Sequence, residues 1–263
     1  MKLRSKPIRL ETNILYYKAG DLYLYLIRLQ PKLNPMAFYS IITGDIVSSG
    51  KIKPAARAAL FESINDLLKR MKKKWISEYE TYRGDSLQCV VASPEHALRA
   101  ALIIRSFLKS HVSSGTNTSR KRKPSIKGYF PTSFDIRVAI GIGKVDFINK
   151  KKISGSDGEA FRFSGNTLDH LKETGQRLGV KTFDKNFDYQ TEPSILLLDS
   201  VIQKWTQNQA ELVYHKLQNK KEDEIASLLH ITQSAVNQRT KTANWYAIQK
   251  LIEYFEATIQ TWK

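Results

Sequence analysis

The sequence predicts an α/β (α+β) protein, a sheet domain followed by a small all-helical domain. β-prone runs and amphipathic helical runs alternate from Phe38 to Leu178, and adjacent strands are joined tightly enough to lie antiparallel. From residue 204 onward the pattern is helical, with short turns. A length of 263 residues at 41% hydrophobic content suffices for one large core and one small one.

Residues 1–35 carry seven basic and two acidic side chains, an aromatic-aliphatic run at Leu22–Leu29 and a Pro31–Pro35 break. They read as a basic N-terminal extension, not native or poorly ordered, with Met36 a candidate start just before the strand-like run Phe38–Ile42. Ala55–Lys74 is helical, because Leu60, Ile64, Leu67, Leu68 and Met71 recur at three- and four-residue spacing. Tyr79–Tyr82 and Leu87–Val91 pair as a hairpin through Arg83, Gly84, Asp85 and Ser86. Pro94–Lys109 forms the next helix, with Pro94 suited to its first turn. Ser113–Lys127, with Arg120–Lys123 and no acid, is a basic loop. Phe134–Ile142 is a strand ending in Gly141-Ile142-Gly143, which lacks the remaining residues of a phosphate-binding loop and marks close backbone packing. Gly165–Leu178 reads as a helix, and Ser194–Leu198 as a strand or a helix start. Strand, helix, hairpin, helix, strand, helix makes a ferredoxin-like core the natural expectation for residues 36–200.

Composition narrows the setting. The single cysteine, Cys89, excludes an intramolecular disulfide and, lying in an apolar run, reads as a buried strand residue. Without an eighteen-residue apolar stretch or a secretory start, the expected location is cytoplasmic, with no membrane partner. A net charge of +17 favours a polyanionic partner. The five histidines show no metal-ligand spacing with acids or Cys89.

Two carboxylates stand out. Asp45 follows the first strand, and Asp85 sits in the hairpin forty positions later, so a ferredoxin-like core puts both near one sheet end. Such a pair can hold Mg²⁺ together with a nucleotide's phosphates; taken singly, each aspartate simply ends a strand. Gly44–Ser49 (GDIVSS), Arg83–Val91 (RGDSLQCVV) and Asp135–Val145 (DIRVAIGIGKV) resemble the catalytic domain of class III nucleotidyl cyclases in order and spacing, and Phe161–Gly175 resembles the start of its last core helix. The resemblance implies a metal site at Asp45 and Asp85 for Mg²⁺ or Mn²⁺, with the nucleotide at Gly44, Ile46 and Gly84. It also exposes departures. Asp169 and Glu173 stand where cyclases carry an asparagine and an arginine, Thr81 stands near the place of the purine-reading lysine, and Arg162 replaces an acidic partner. Negative charge at Asp169 and Glu173 opposes phosphoryl chemistry.

Residues 204–263 read as a helix-turn-helix DNA-binding domain. Gln207–Leu217 and Asp223–Leu229 are helices, and Thr232 caps a third. Ala226, Ile231 and Val236 have the small-aliphatic-aliphatic spacing that lets two helices cross and pins the turn; His230 stands where glycine is common. Gln233, Ser234, Asn237 and Gln238 can read base edges, and Arg239 and Lys241 can contact phosphate. The plain alternative is a three-helix bundle facing solvent or protein, since the charge from 204 onward is only +2. The last helix is expected to continue from Lys241 through Trp245, Ile248, Leu251, Ile252 and Phe255, a stripe to be covered by a homodimer or by the larger domain.

A cyclase-like domain opening on a GDIV motif and ending in a helix-turn-helix is similar to the SatD-like family from Met36 to the C-terminus. The resemblance implies a DNA-binding transcriptional regulator whose cyclase-like domain senses a nucleotide or metal. An active nucleotidyl cyclase or nucleotidyltransferase using two Mg²⁺ ions is the alternative, so enzyme status stays open.

Overall fold

Strand β1 (Tyr39–Ile46) leads into α1 (Pro54–Met71), the hairpin β2 (Ile76–Tyr82) and β3 (Ser86–Val91), α2 (Ala97–Ser110) and β4 (Ile136–Gly143). These come from a computed structural model that describes residues 38–82, 84–111 and 134–262; the N-terminal extension, Arg83 and the basic loop lie outside the described residues. The sheet order is β2-β3-β1-β4-β5. Pairing is antiparallel between β2 and β3, β3 and β1, and β1 and β4. Helices α1 and α2 connect these strands in the βαββαβ order of a ferredoxin-like core. The next helix, α3 (Glu159–Thr174), crosses over to β5 (Leu178–Thr182), which lies parallel to β4.

Three elements differ from the sequence expectation. The helix expected over Gly165–Leu178 starts and stops earlier, because Gly175 adopts a left-handed conformation (φ 74°) that ends it and frees Leu178 for β5. Ser194–Leu198 lies inside α4 (Lys185–Gln203), whose start is fixed by Asp184 accepting from the Asn186 and Phe187 N–H groups. The long last helix is two helices, α7 (Gln233–Thr242) and α8 (Trp245–Gln260), parted at Asn244 in the left-handed region (φ 58°).

Pleating divides the sheet's side chains. Ile42, Ile46, Leu87, Cys89, Val91, Ile136, Val138, Ile140 and Ile142 join α1 and α2 in the main core. Each such burial contributes about 1.5–3 kcal/mol. Burial pushes the Cys89 thiol well above its ordinary range, so it stays protonated. On the opposite face, Thr43 Oγ1 donates to Ser164 Oγ of α3 at 2.9 Å, and Ala139 packs against Leu168 and Leu171. A Cβ at Gly141 would collide with the Ala160 carbonyl oxygen, so glycine lets α3 lie backbone-close on β4.

The C-terminal helices are α5 (Gln207–Leu217), α6 (Glu222–Leu229), α7 and α8. A capping box between Thr206 and Gln209 starts α5. Its Leu212 packs with Ile225, Ala226 and Val236, while Ala210, Val213 and Leu217 join the main core. Trp245, Ile248, Ile252, Phe255 and Ile259 of α8 enter that same core, so the sheet domain itself covers the stripe. Arg99 of α2 holds Glu256 of α8 at 2.6 and 2.9 Å. Residues Ala37–Lys263 form one unit, and packing is continuous across residue 204. Among the described residues, no helix is long and apolar enough to cross a membrane.

A buried ion cluster locks these layers. Arg105 of α2, fully buried, donates to Asp135 at 3.0 Å and to Asp199 of α4 at 2.5 Å. Arg177 at 2.7 Å and Lys109 at 3.5 Å complete the surround of Asp135. Burial pushes the Asp135 carboxyl up, but Arg105 and Lys109 outweigh it and leave the group below the ordinary carboxylate range. The backbone carbonyl of Asp135 accepts from the Val47 N–H at 2.9 Å, which fixes the exit of β1.

Candidate functional site

Asp45 is the next-to-last residue of β1 and stands between Ser86 on β3 and Arg137 on β4. Gly84 takes the left-handed conformation (φ 75°) that the hairpin turn requires. The Ile46 N–H donates to the Asp85 carbonyl at 2.9 Å, extending the ladder into the turn and bringing both aspartates to one sheet end. Asp85 accepts from Ser49 Oγ at 2.7 Å and Ser86 Oγ at 3.3 Å; Asp45 accepts from Arg137 Nη1 at 3.2 Å.

Burial, followed by the negative charge of Asp85, raises the Asp45 carboxyl above its ordinary range; Lys172 and Arg137 pull it partly back. The charged form of Asp45 is thus disfavoured chiefly by burial and secondarily by Asp85, and a cation at this sheet end would offset both. Among the described residues, no three His, Cys, Asp or Glu side chains converge on a common metal position. The donor set fits an ion that brings phosphate or water ligands of its own, as Mg²⁺ does.

Of the positions expected at a nucleotide, Gly44 faces the core, where a Cβ would meet Ile136 Cδ1 at 2.9 Å, and the Ile46 side chain is buried. Gly44 pairs with Leu87 and Val138 inside the sheet and the Ile46 N–H is taken by the Asp85 carbonyl, so neither offers a side chain to a ligand at this end. Thr81 points to α1 and donates to Asn65 at 3.1 Å. Arg162 pairs with Asp157 at 2.8 Å, and Asp169 with Lys172 at 3.0 Å, while Glu173 is exposed. Sequence reasoning missed Arg137 and Lys172. Arg137 was signalled by its polar place in an alternating strand; Lys172 acquires its position only from the packing of α3.

The second candidate region is α6–turn–α7. Ala226 and Val236 are buried and Ile231 packs against them. Thr232 accepts from the Ala235 N–H at 3.2 Å, as the sequence predicts. His230 adopts the left-handed conformation (φ 52°, ψ 45°), so the turn keeps the geometry glycine would give it. Gln233, Ser234, Asn237, Gln238 and Lys241 are exposed and Arg239 is half-buried. The first turn of α6 is acidic, but Lys216 holds Glu222 at 2.6 Å and Lys220 holds Glu224 at 3.3 Å.

No curated protein matches the chain. Among solved structures, the GGDEF domain of FimX from Pseudomonas aeruginosa is similar at 9% identity and a TM-score of 0.36, over 64% of this chain and 94% of that one. Residues 126–249, from before β4 into α8 and excluding Asp45 and Asp85, match the model of the SatD family.

Proposed function

We propose that the protein is a DNA-binding transcriptional regulator in which α7 is the recognition helix and the Asp45–Asp85 end of the sheet takes a nucleotide or metal. One observation carries this reading: Val236 and Ala226 anchor α7 while Gln233, Ser234, Asn237 and Gln238 all remain exposed on it. Amide and hydroxyl groups on a rigid helix suit base edges in the major groove, with Arg239 and Lys241 available for phosphate. The test is selection of duplex sequences by the full chain, followed by fluorescence anisotropy. Gln238→Ala with Arg239→Ala is expected to abolish sequence preference; unaltered preference would count against the reading.

The placement of Asp45 and Asp85 at one sheet end favours a second reading, an active nucleotidyl cyclase or nucleotidyltransferase. A metal ion held there would supply charge neutralisation for a triphosphate. Against this stand Arg137, already on Asp45, and the carboxylates Asp169 and Glu173 on α3. Incubation of each nucleoside triphosphate with Mg²⁺ or Mn²⁺ separates the readings. Product that disappears in Asp45→Ala establishes an enzyme, whereas metal-dependent binding without turnover fits a sensor.

A further inference from the structure

Five of the six residues from Lys69 to Lys74 are cationic. Part of this run has a local explanation, since cations favour a helix C-terminus, Lys69 pairs with Asp66 at 3.3 Å and Lys72 with Glu78 at 2.9 Å. Arg70, Lys73 and Lys74 have no carboxylate partner among the described residues. Lys73 takes the left-handed conformation (φ 77°) and turns the chain into β2.

Beside this turn lies a cleft of about 310 Å³. Arg70, Lys74 and Trp75 line one side, and Tyr214, Gln218 and Lys220 from the end of α5 and the turn into α6 line the other. Glu224 also lines it and is held by Lys220. Lys74 Nζ sits 4.9 Å over the buried Trp75 ring, which gives that side a fixed footing. Lys221, exposed, is the N-cap residue of α6 and carries the positive charge as far as that helix, whose own first turn is acidic, with Glu222 and Glu224 held by Lys216 and Lys220.

The face of α7 is rich in neutral hydrogen-bonding groups, and residues 204–263 carry a net charge of only +2. A duplex held by that face alone would lack the phosphate neutralisation that supplies most non-specific affinity. We infer that the end of α1 and the α5–α6 turn form one phosphate-binding surface for the backbone of duplex DNA. The sheet domain then contributes directly to DNA binding. This rests on the DNA-binding reading, and two separate results distinguish failure of each.

The experiment is anisotropy of the full chain with a fluorescein-labelled random-sequence duplex across a KCl series. Arg70→Gln/Lys74→Gln/Lys220→Gln is expected to weaken binding about tenfold or more. It should also make the slope of log K against log [salt] shallower by about 2–3, near 0.9 for each phosphate that is no longer neutralised. The charge-preserving variant Arg70→Lys/Lys74→Arg/Lys220→Arg should retain the wild-type slope. An unchanged slope in the glutamine variant, or equal weakening in the charge-preserving one, overturns the inference. So does stronger binding of the wild type to phosphatidylserine vesicles than to duplex, abolished through the same three residues. If the wild type binds no duplex at all, the DNA-binding reading itself fails.

Discussion

Replacing Arg105 by Met tests how the layers are held together. Its guanidinium spans Asp135 and Asp199, with all three side chains at most 4% exposed. After the substitution Asp135 still has Arg177 at 2.7 Å and Lys109 at 3.5 Å. Asp199 loses its cation and retains two hydrogen bonds, from the Arg177 N–H and from Gln203, each at 2.9 Å. Breaking a buried ion pair costs about 3–5 kcal/mol, and these retained bonds put the loss near the low end, about 3 kcal/mol. For a chain of this size that corresponds to a melting temperature lower by about 6–12 °C. Adding Asp199→Asn removes the stranded charge and should recover about half of the loss. Urea unfolding at pH 7 measures both variants at constant slope. A loss below about 1 kcal/mol, or no recovery with Asp199→Asn, would refute the view that Arg105 neutralises this cluster.

Asp45 has a raised folded-state affinity for protons, so its charged form is penalised above the raised value, and stability should rise as pH falls through it toward 3.8. Asp45→Asn should therefore be more stable than wild type at pH 7 and lose that pH dependence; urea midpoints from pH 7 to pH 4.5 decide, and a less stable variant would contradict the sign. Gly141→Ala drives a Cβ into the Ala160 carbonyl and to 2.5 Å from the Ser164 nitrogen, and is expected to cost more than about 3 kcal/mol by thermal melting. Gly165→Ala, within α3 and with open space at its Cβ, should instead stabilise by about 0.5–1 kcal/mol.

Much of the sheet was legible because Ile, Leu and Val recur at strand and helix periods, and the Gly84-Asp85 turn is local chemistry. Strand β5 was not legible. It is five residues long, is separated from the end of α3 by only three residues, and is specified by its parallel pairing with β4. The break at Asn244 was hidden for a related reason: the apolar spacing continues through it, and a tertiary hydrogen bond from Trp205 Nε1 to the Ala243 carbonyl, 3.1 Å, marks the corner. At the acidic end, strand order brings Asp45 and Asp85 together as the sequence predicts. The cations facing Asp45 follow from register and helix packing, which link residues 92 positions apart in the case of Arg137. Ile231 and Val236 were legible because their roles depend on spacing within one short segment.

The sharing of one core between the sheet and helices α5 and α8 bears on portability. A helical domain joined by a flexible linker can be cut out and grafted, and its orientation relative to its neighbour is free to vary. Here Val213, Leu217, Ile248, Ile252 and Phe255 are fully or almost fully buried in the shared core. Excision at residue 204 would strip these side chains of their packing and turn them into an adhesive surface. The intact chain instead carries α7 at a set angle to the sheet, as a bit is held in a chuck.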